Sequence, residues 1–188
     1  MKLKLFTLTV FYCLFTYSQN IPVDIILKSN DTLTGTMLVR LSPYDKNEIL
    51  PSSFNETVKF LDDFGMRKIK GKEIKELWFE DLQGNVRKFV SLTGYKHHIV
   101  EEAYANKVWW FRHYSFDLYH GHENVYEELY DEKYQKFKMG LFNSYKRKLR
   151  AFTKNDPEIS EFIKRHDVKR KENILEVILM YESTLEED

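Results

Sequence analysis

The sequence predicts an α+β fold: an N-terminal antiparallel, small-barrel-like β section with an aromatic hairpin, followed by two or three C-terminal helices. Between residues 23 and 119, short runs of β-branched and aromatic residues alternate with turn residues, as is typical of antiparallel strands. From residue 141 onward, apolar residues instead recur every three or four positions, as on a helix face. The chain holds 14 Phe, 12 Tyr and 3 Trp but only 7 Gly and 4 Pro, so it has ample apolar material for a core.

The first 18 residues have the layout of a secretory signal peptide. Lys2 and Lys4 precede an apolar run over residues 5–15, and the small residue Ser18 follows it. The run is shorter than the ~20 apolar residues that span a bilayer. We therefore predict cleavage near Ser18 or Gln19, and export to the periplasm or the cell surface. The alternative is an N-terminal strand or helix of the core.

The β-rich section is predicted over residues 19–120, and it begins with three hairpins. Polar turns at residues 28–31, 62–65 and 83–85 each separate two apolar runs. The segment 42–55 is predicted as a loop. Strands this short, at even spacing, indicate a small barrel or a strongly twisted sheet. The runs predicted as strands are residues 25–27, 32–39, 57–61, 66–69, 74–79 and 86–90.

The aromatic hairpin is predicted within residues 95–119, with its turn at Asn106 and Lys107. Its second strand contains Trp109, Trp110 and Phe111 in succession. Because neighbouring residues of a strand point to opposite faces, we expect one of the two tryptophans in the core. The alternative is that these rings form a platform on which a sugar or peptide stacks.

The last section, residues 121–188, is predicted to be mainly helical and to pack on the β section in one domain. Residues 120–138 fit both a strand and a helix, because their tyrosines suit either. Asp156 followed by Pro157 predicts the start of a helix. Ile163 and Ile178 lie on apolar helix stripes and are expected to be buried. The three stripes consist of Leu141, Phe142, Tyr145, Leu149 and Phe152, of Ile159, Phe162, Ile163 and His166, and of Ile174, Leu175, Ile178 and Tyr181.

Charge and composition exclude several classes of function. Lys and Arg number 29 and Asp and Glu also number 29, so no basic excess indicates a nucleic-acid partner. The single cysteine, Cys13, lies within the predicted signal peptide, so the mature chain would have no disulfide, cysteine nucleophile or cysteine zinc site. No Gly-x-Ser-x-Gly motif and no glycine-rich phosphate loop occurs. We predict no catalytic residue and no cofactor.

Three histidines are the candidate metal ligands. His113, His120 and His122 lie within ten positions, with the carboxylates of Asp117 and Glu123 close by. Two imidazoles separated by one residue share a strand face, which suits half of a zinc or copper site. The alternative is that these histidines are solvated surface residues, because Gly121 indicates a turn between two of them.

A basic stretch over residues 146–150 offers a further alternative. Lys146, Arg147, Lys148 and Arg150 lie beside the apolar stripe of a predicted helix. A basic amphipathic helix can bind an anionic membrane surface. More commonly such a face is solvated.

Three local patterns carry a family resemblance: the strand–turn–strand over residues 23–35 with its Asp-Thr-Leu-x-Gly, the segment 58–77, and the helix start at Asn155–Ile159 with residues 174–181. Together they resemble uncharacterised exported proteins of Bacteroidetes. The resemblance would span most of the mature chain and implies export, but no activity and no site residue. The first β section is also similar to SH3-like and Sm-like small barrels, in which Gly35 would permit a strongly bent strand.

Two functional hypotheses follow. The first is an exported envelope protein that serves as a non-catalytic binding or structural module, with another envelope protein or a cell-wall component as its partner. The second is a secreted hydrolase or metal-dependent enzyme that uses the histidine-rich segment 113–123. Convergence of His113, His120 and a carboxylate in a cleft would favour the enzyme.

Overall fold

The computed structural model of the protein describes residues 18–95, 97–117, 119, 121–131, 136–138 and 145–185. The predicted signal peptide lies outside them except for Ser18, which begins the first strand. The strands are β1 (Ser18–Leu27), β2 (Thr32–Leu41), β3 (Ile49–Leu50), β4 (Thr57–Asp62), β5 (Gly65–Lys70), β6 (Ile74–Glu80), β7 (Val86–Val90), β8 (Val100–Ala105), β9 (Val108–Asp117), β10 (His122–Asp131) and β11 (Lys136–Lys138). The helices are α1 (Tyr145–Phe152), α2 (Pro157–Arg165) and α3 (Lys171–Thr184). An α+β fold of mainly antiparallel strands followed by helices is therefore confirmed.

The chain divides into two compact units. The first contains the chain up to Glu101 and the segment Tyr114–Asn124, and the second contains Glu102–His113 and Val125–Asp188. Strands β8, β9 and β10 each contribute residues to both units.

In the first unit, the predicted hairpins form with the expected turns. Strand β1 pairs antiparallel with β2, β4 with β5, and β6 with β7. Asn30 in the first turn and Gly65 and Gly84 in the other two adopt positive φ, which such tight turns require. The strand order is β7-β6-β1-β2-β4-β5, with β3 beside β2.

The segment 42–55, predicted as a loop, contains strand β3 and a 3-10 turn over Pro51–Ser53. The reason is burial: Ile49 and Phe54 are 3% and 0% exposed and join the core of the first unit. Apolar contacts with the sheet therefore order a segment whose local composition is that of a loop.

The predicted small barrel is not confirmed, because the strand order is a path with two ends, β5 and β11, and the sheet is not closed. Gly35 serves a different purpose from the expected bend. A Cβ atom at this position would lie 2.5 Å from the Leu61 carbonyl oxygen and 2.7 Å from the Phe60 ring. The glycine is required by the close approach of β4, not by a special backbone angle.

In the second unit, helices α1–α3 pack on strand residues. Val108, Trp110 and Leu129 share one apolar cluster with Leu149, Ile163 and Ile178. Trp110 is fully buried and Trp109 is partly exposed, which confirms that one tryptophan of the pair belongs to the core. The turn at Asn106 is closed by its amide, which donates to the Val108 carbonyl at 3.2 Å.

In the undecided segment 120–138, the described residues form two strands and no helix. Strand β10 runs through His122–Asp131 and pairs antiparallel with β11, and the first helix among the described residues of the section 121–188 begins at Tyr145. Tyrosine spacing suits both structures, and the pairing with β11 decides between them. The helix start at Asp156 and Pro157 is confirmed, since the Asp156 side chain accepts the Ile159 amide at 3.0 Å.

Candidate functional site

Four cationic side chains lie on one face of the sheet in the first unit. Lys59 of β4 stands directly opposite Lys68 of β5, and Leu38 of β2 stands opposite Lys59. Residues two positions apart on a strand share a face, so Arg40 lies on this face beyond Leu38, and Lys70 beyond Lys68. We call Arg40, Lys59, Lys68 and Lys70 the basic face; all four are exposed.

The opposite face of the same strands builds the core. Met37, Val39, Val58, Phe60 and Ile69 are at most 5% exposed. They alternate with the residues of the basic face, so a slip of one residue in register would bury the cations. The hydrophobic core therefore fixes the cations on the outer side of the sheet.

Within the described part of the chain, none of the four cations forms a salt bridge with a carboxylate. Glu73 lies close to Lys70, but its side chain accepts a bond from the Lys70 backbone amide, at 3.3 Å. The Arg40 guanidinium lies 5.8 Å from the centre of the Phe116 ring, and its backbone amide donates to Ser53 Oγ at 3.1 Å. No carboxylate in the described ranges therefore neutralises the charge of these exposed cations.

The basic face lines a groove of about 680 Å³. Opposite side chains of paired strands are about 5 Å apart, and alternate residues about 7 Å apart along a strand. The four charges thus lie within reach of one ligand that carries several anionic groups. Hydroxyl groups of Ser53 and Thr57 also line the groove and add hydrogen-bond capacity.

The predicted metal ligands take different positions. His113 is buried in the second unit, with Nε2 3.3 Å from the Glu128 carboxylate. His122 is exposed in the first unit, with Nε2 3.2 Å from Asn124 Oδ1. His120 lies outside the described residues. Among the residues that are described, no group of three or more His, Cys, Asp or Glu side chains could hold a metal ion.

A buried polar cluster occupies the interior of the first unit. Arg87 makes two bonds to the Glu101 carboxylate, at 2.9 and 3.0 Å, and a third to the Tyr114 hydroxyl, at 3.1 Å. Tyr114 in turn donates to Glu101. The rings of Phe79 and Phe89 lie 5.8 and 5.4 Å from the guanidinium carbon. Arg87 and Glu101 thus satisfy each other's charge, as buried ions require, and loss of either partner would leave a buried charge uncompensated.

Glu123 is a second partly buried carboxylate of the first unit. One of its oxygens accepts the backbone amide of Ser52 at 2.7 Å, which ties strand β10 to the 3-10 turn. Burial raises the pKa of Glu123, while the bonds from Ser52 and the charge of Arg87 lower it in part. The carboxyl group therefore holds its proton to a higher pH than an exposed glutamate would.

Buried carboxylates also form hydrogen bonds that join strands and helices of the second unit. Glu182 of α3 accepts from the Tyr104 hydroxyl at 2.6 Å, the Asn106 side chain at 3.0 Å and the Val108 amide at 2.8 Å. The bond to Glu182 raises the pKa of Tyr104. Glu127 accepts from the indole of Trp110. The carboxylates of Glu127 and Glu182 are buried and engaged in structural bonds.

Sequence reasoning missed the basic face. A partial signal exists, because Lys68 lies on the predicted strand 66–69 and Lys70 follows two positions later, which places both on one face where the strand continues. Lys59 and Arg40 join them only through the pairing of three strands, and no local pattern encodes that pairing.

Comparison with known protein families, with curated proteins and with solved structures finds no match. Among the described residues, no helix is long and apolar enough to cross a membrane.

Proposed function

We propose that the protein is an exported, non-catalytic binding module of the cell envelope, and that its basic face binds an anionic component of that envelope. The observation that carries this proposal is the set of four exposed cations on one sheet face, none of which has a carboxylate partner among the described residues. Unpaired charge of one sign in a concave surface attracts ligands of the opposite sign.

The chemistry of the face favours carboxylate or phosphate groups. The Arg40 guanidinium can bind such a group with two parallel bonds, whereas each lysine acts as a point charge. The cations are exposed, so their interaction with a ligand should weaken as salt increases. A ligand with several anionic groups would bind most tightly, because the face offers several cations at fixed spacing.

Export remains part of the proposal. Its support is the basic start, the short apolar run and the small residue at position 18. Mass spectrometry of the mature protein is expected to find a chain that begins near Gln19 or Asn20. Recovery of protein from the cytoplasm that still begins at Met1 would contradict this expectation.

Binding is tested with polyglutamate and polyphosphate as probes, and with neutral dextran as the control polymer. The double variant Lys59→Gln/Lys68→Gln removes two charges from the face. A lysine near an anionic surface contributes about 1 kcal/mol, so the dissociation constant should rise roughly thirtyfold. Calorimetric titration at low and high salt measures the effect.

The matched control is Lys164→Gln/Lys169→Gln, which removes two exposed lysines from the second unit. It is expected to leave binding unchanged within about twofold. Equal loss in both double variants would mean that only net charge matters. That result, or binding of dextran as strong as that of the polyanions, would contradict the proposal.

A further inference from the structure

Strand β5 has one open edge. All six of its residues pair with β4 on one side, from Gly65 opposite Asp62 to Lys70 opposite Thr57. On its other side the strand order ends, and no described strand lies there. The Lys70 amide donates to the Glu73 side chain at 3.3 Å. Along the rest of this edge, no described strand pairs with the outward-facing N–H and C=O groups, so another extended segment could bind them, as at any edge strand.

The side chains of β5 determine which segment can bind. Met66, Lys68 and Lys70 point to the outer face, and Met66 is 63% exposed. On the inner side, Ile69 is buried, and Arg67 is paired with Asp62 at 2.7 Å. A strand added at the edge would therefore meet one apolar side chain and then two lysines at alternate positions.

These lysines reject one class of partner. A second copy of this chain that paired edge to edge would bring its own Lys68 and Lys70 beside the first pair. Like charges on neighbouring strands are destabilising, and edge lysines commonly prevent such self-association. The same arrangement favours a strand with carboxylates at alternate positions.

We propose that the open edge of β5 binds an extended acidic segment of a partner protein, which adds to the sheet as a further strand. This inference rests on the proposed anion-binding function and names the partner's chemistry. Alternate Asp or Glu side chains of the segment would lie about 5 Å from Lys68 and Lys70. An apolar residue of the segment would cover Met66, and backbone bonds to β5 would hold it in register.

The test uses a short peptide of alternating glutamate and valine, and the same peptide N-methylated at alternate residues. N-methylation keeps every charge but removes the amide donors that strand addition needs. The unmodified peptide is expected to bind at least about tenfold more tightly than the methylated one. It should also slow hydrogen exchange of outward-facing amides in β5.

Variants locate the site. Lys68→Glu/Lys70→Glu should abolish binding of the unmodified peptide, whereas Lys164→Glu/Lys169→Glu should not affect it. Equal binding of both peptides, with unchanged exchange in β5, would overturn the inference and leave anion binding by the face intact. Binding of polyphosphate without binding of the acidic peptide would also overturn it. If neither polyanion nor peptide binds, the proposed function fails together with the inference.

Discussion

Lys59 and Lys68 occupy opposite positions in the antiparallel pair of β4 and β5, so two ammonium groups share one face of the sheet. Like charges that stand directly opposite each other on paired strands are destabilising. The protein therefore keeps a pair that lowers its stability, in a place where a carboxylate on either strand would raise it. A loss of stability of this kind is expected where a surface binds a ligand.

The substitution Lys68→Glu is predicted to stabilise the protein while it weakens anion binding. It replaces a like-charge pair with an opposite-charge pair, a difference of about 0.2–1 kcal/mol for exposed cross-strand pairs. Urea unfolding measures the change, and the gain should shrink in high salt. Lys169→Glu is the matched control and should leave stability within about 0.5 kcal/mol. A destabilised Lys68→Glu variant would show that repulsion between Lys59 and Lys68 does not lower the stability of the unmodified protein.

Gly35→Ala is predicted to lower the free energy of unfolding by about 1–3 kcal/mol, the usual cost of overpacking. The added methyl group would lie 2.5 Å from the Leu61 carbonyl oxygen, so β2 and β4 would have to separate. Thr32→Val on the same strand is exposed and should change stability by no more than about 0.5 kcal/mol. An unchanged denaturation midpoint for Gly35→Ala would mean that β4 can move away from β2 without loss of stability.

The hairpins could be predicted because local chemistry specifies them. Asn30, Gly65 and Gly84 take positive φ in tight turns. The Asp156 side chain accepts a backbone amide of the first turn of α2, and Pro157 occupies the first position of that helix. For the segment 120–138, the local sequence fits both a strand and a helix. There the pairing of β10 with β11, a tertiary contact, decides between strand and helix.

Ile163→Ala and Ile178→Ala are each predicted to cost about 2–5 kcal/mol, because both empty a packed site. The side chains are 0% and 1% exposed and belong to one apolar cluster with Trp110. Leu179→Ala, on the same helix as Ile178 but 44% exposed, is the matched control and should cost about 0.5 kcal/mol or less. Similar losses at Ile178 and Leu179 in a denaturant melt would show that α3 does not pack as described.

Glu182→Ala is predicted to destabilise the second unit, since it leaves the buried Val108 amide without its acceptor. An unsatisfied buried donor costs about 1–3 kcal/mol. Glu182→Gln keeps an acceptor oxygen and should recover part of the loss. Glu176→Ala, at an exposed position of the same helix, controls for helix propensity. A loss no larger at Glu182 than at Glu176 would argue against this anchor.

Glu123→Gln is predicted to make the protein relatively more stable as pH rises. Burial raises the pKa of Glu123 in the folded state, so between the ordinary glutamate value of about 4.3 and the raised value the folded state binds more protons than the unfolded chain. The contribution of Glu123 to the free energy of unfolding is therefore lost over this pH window as pH increases. Glutamine cannot titrate but can still accept the Ser52 amide.

Urea midpoints at several pH values between 4 and 8 measure this difference. Glu80→Gln, at an exposed position, is the charge-removal control. A difference between the Glu123 variant and the unmodified protein that does not grow with pH would contradict the prediction.

The candidate site could be predicted only in part. Lys68 and Lys70 share a face by strand periodicity, which a single strand reveals. Their association with Lys59 and Arg40 depends on the register of β2, β4 and β5, which the buried Met37, Val58 and Phe60 impose from the other side. Of the three histidines that lie close together in the sequence, His113 and His122 belong to different compact units, and His120 lies outside the described residues.

The bond between Glu182 and Val108 joins positions 74 residues apart. During synthesis, the Val108 amide in the hairpin of β8 and β9 therefore has no permanent acceptor until α3 has been made and has packed on the hairpin. Long-range closure of this kind slows folding and prolongs the time for which apolar strands stay uncovered. If the chain is exported as proposed, late closure would be an advantage, because the second unit cannot complete itself before α3 has arrived on the same side of the membrane.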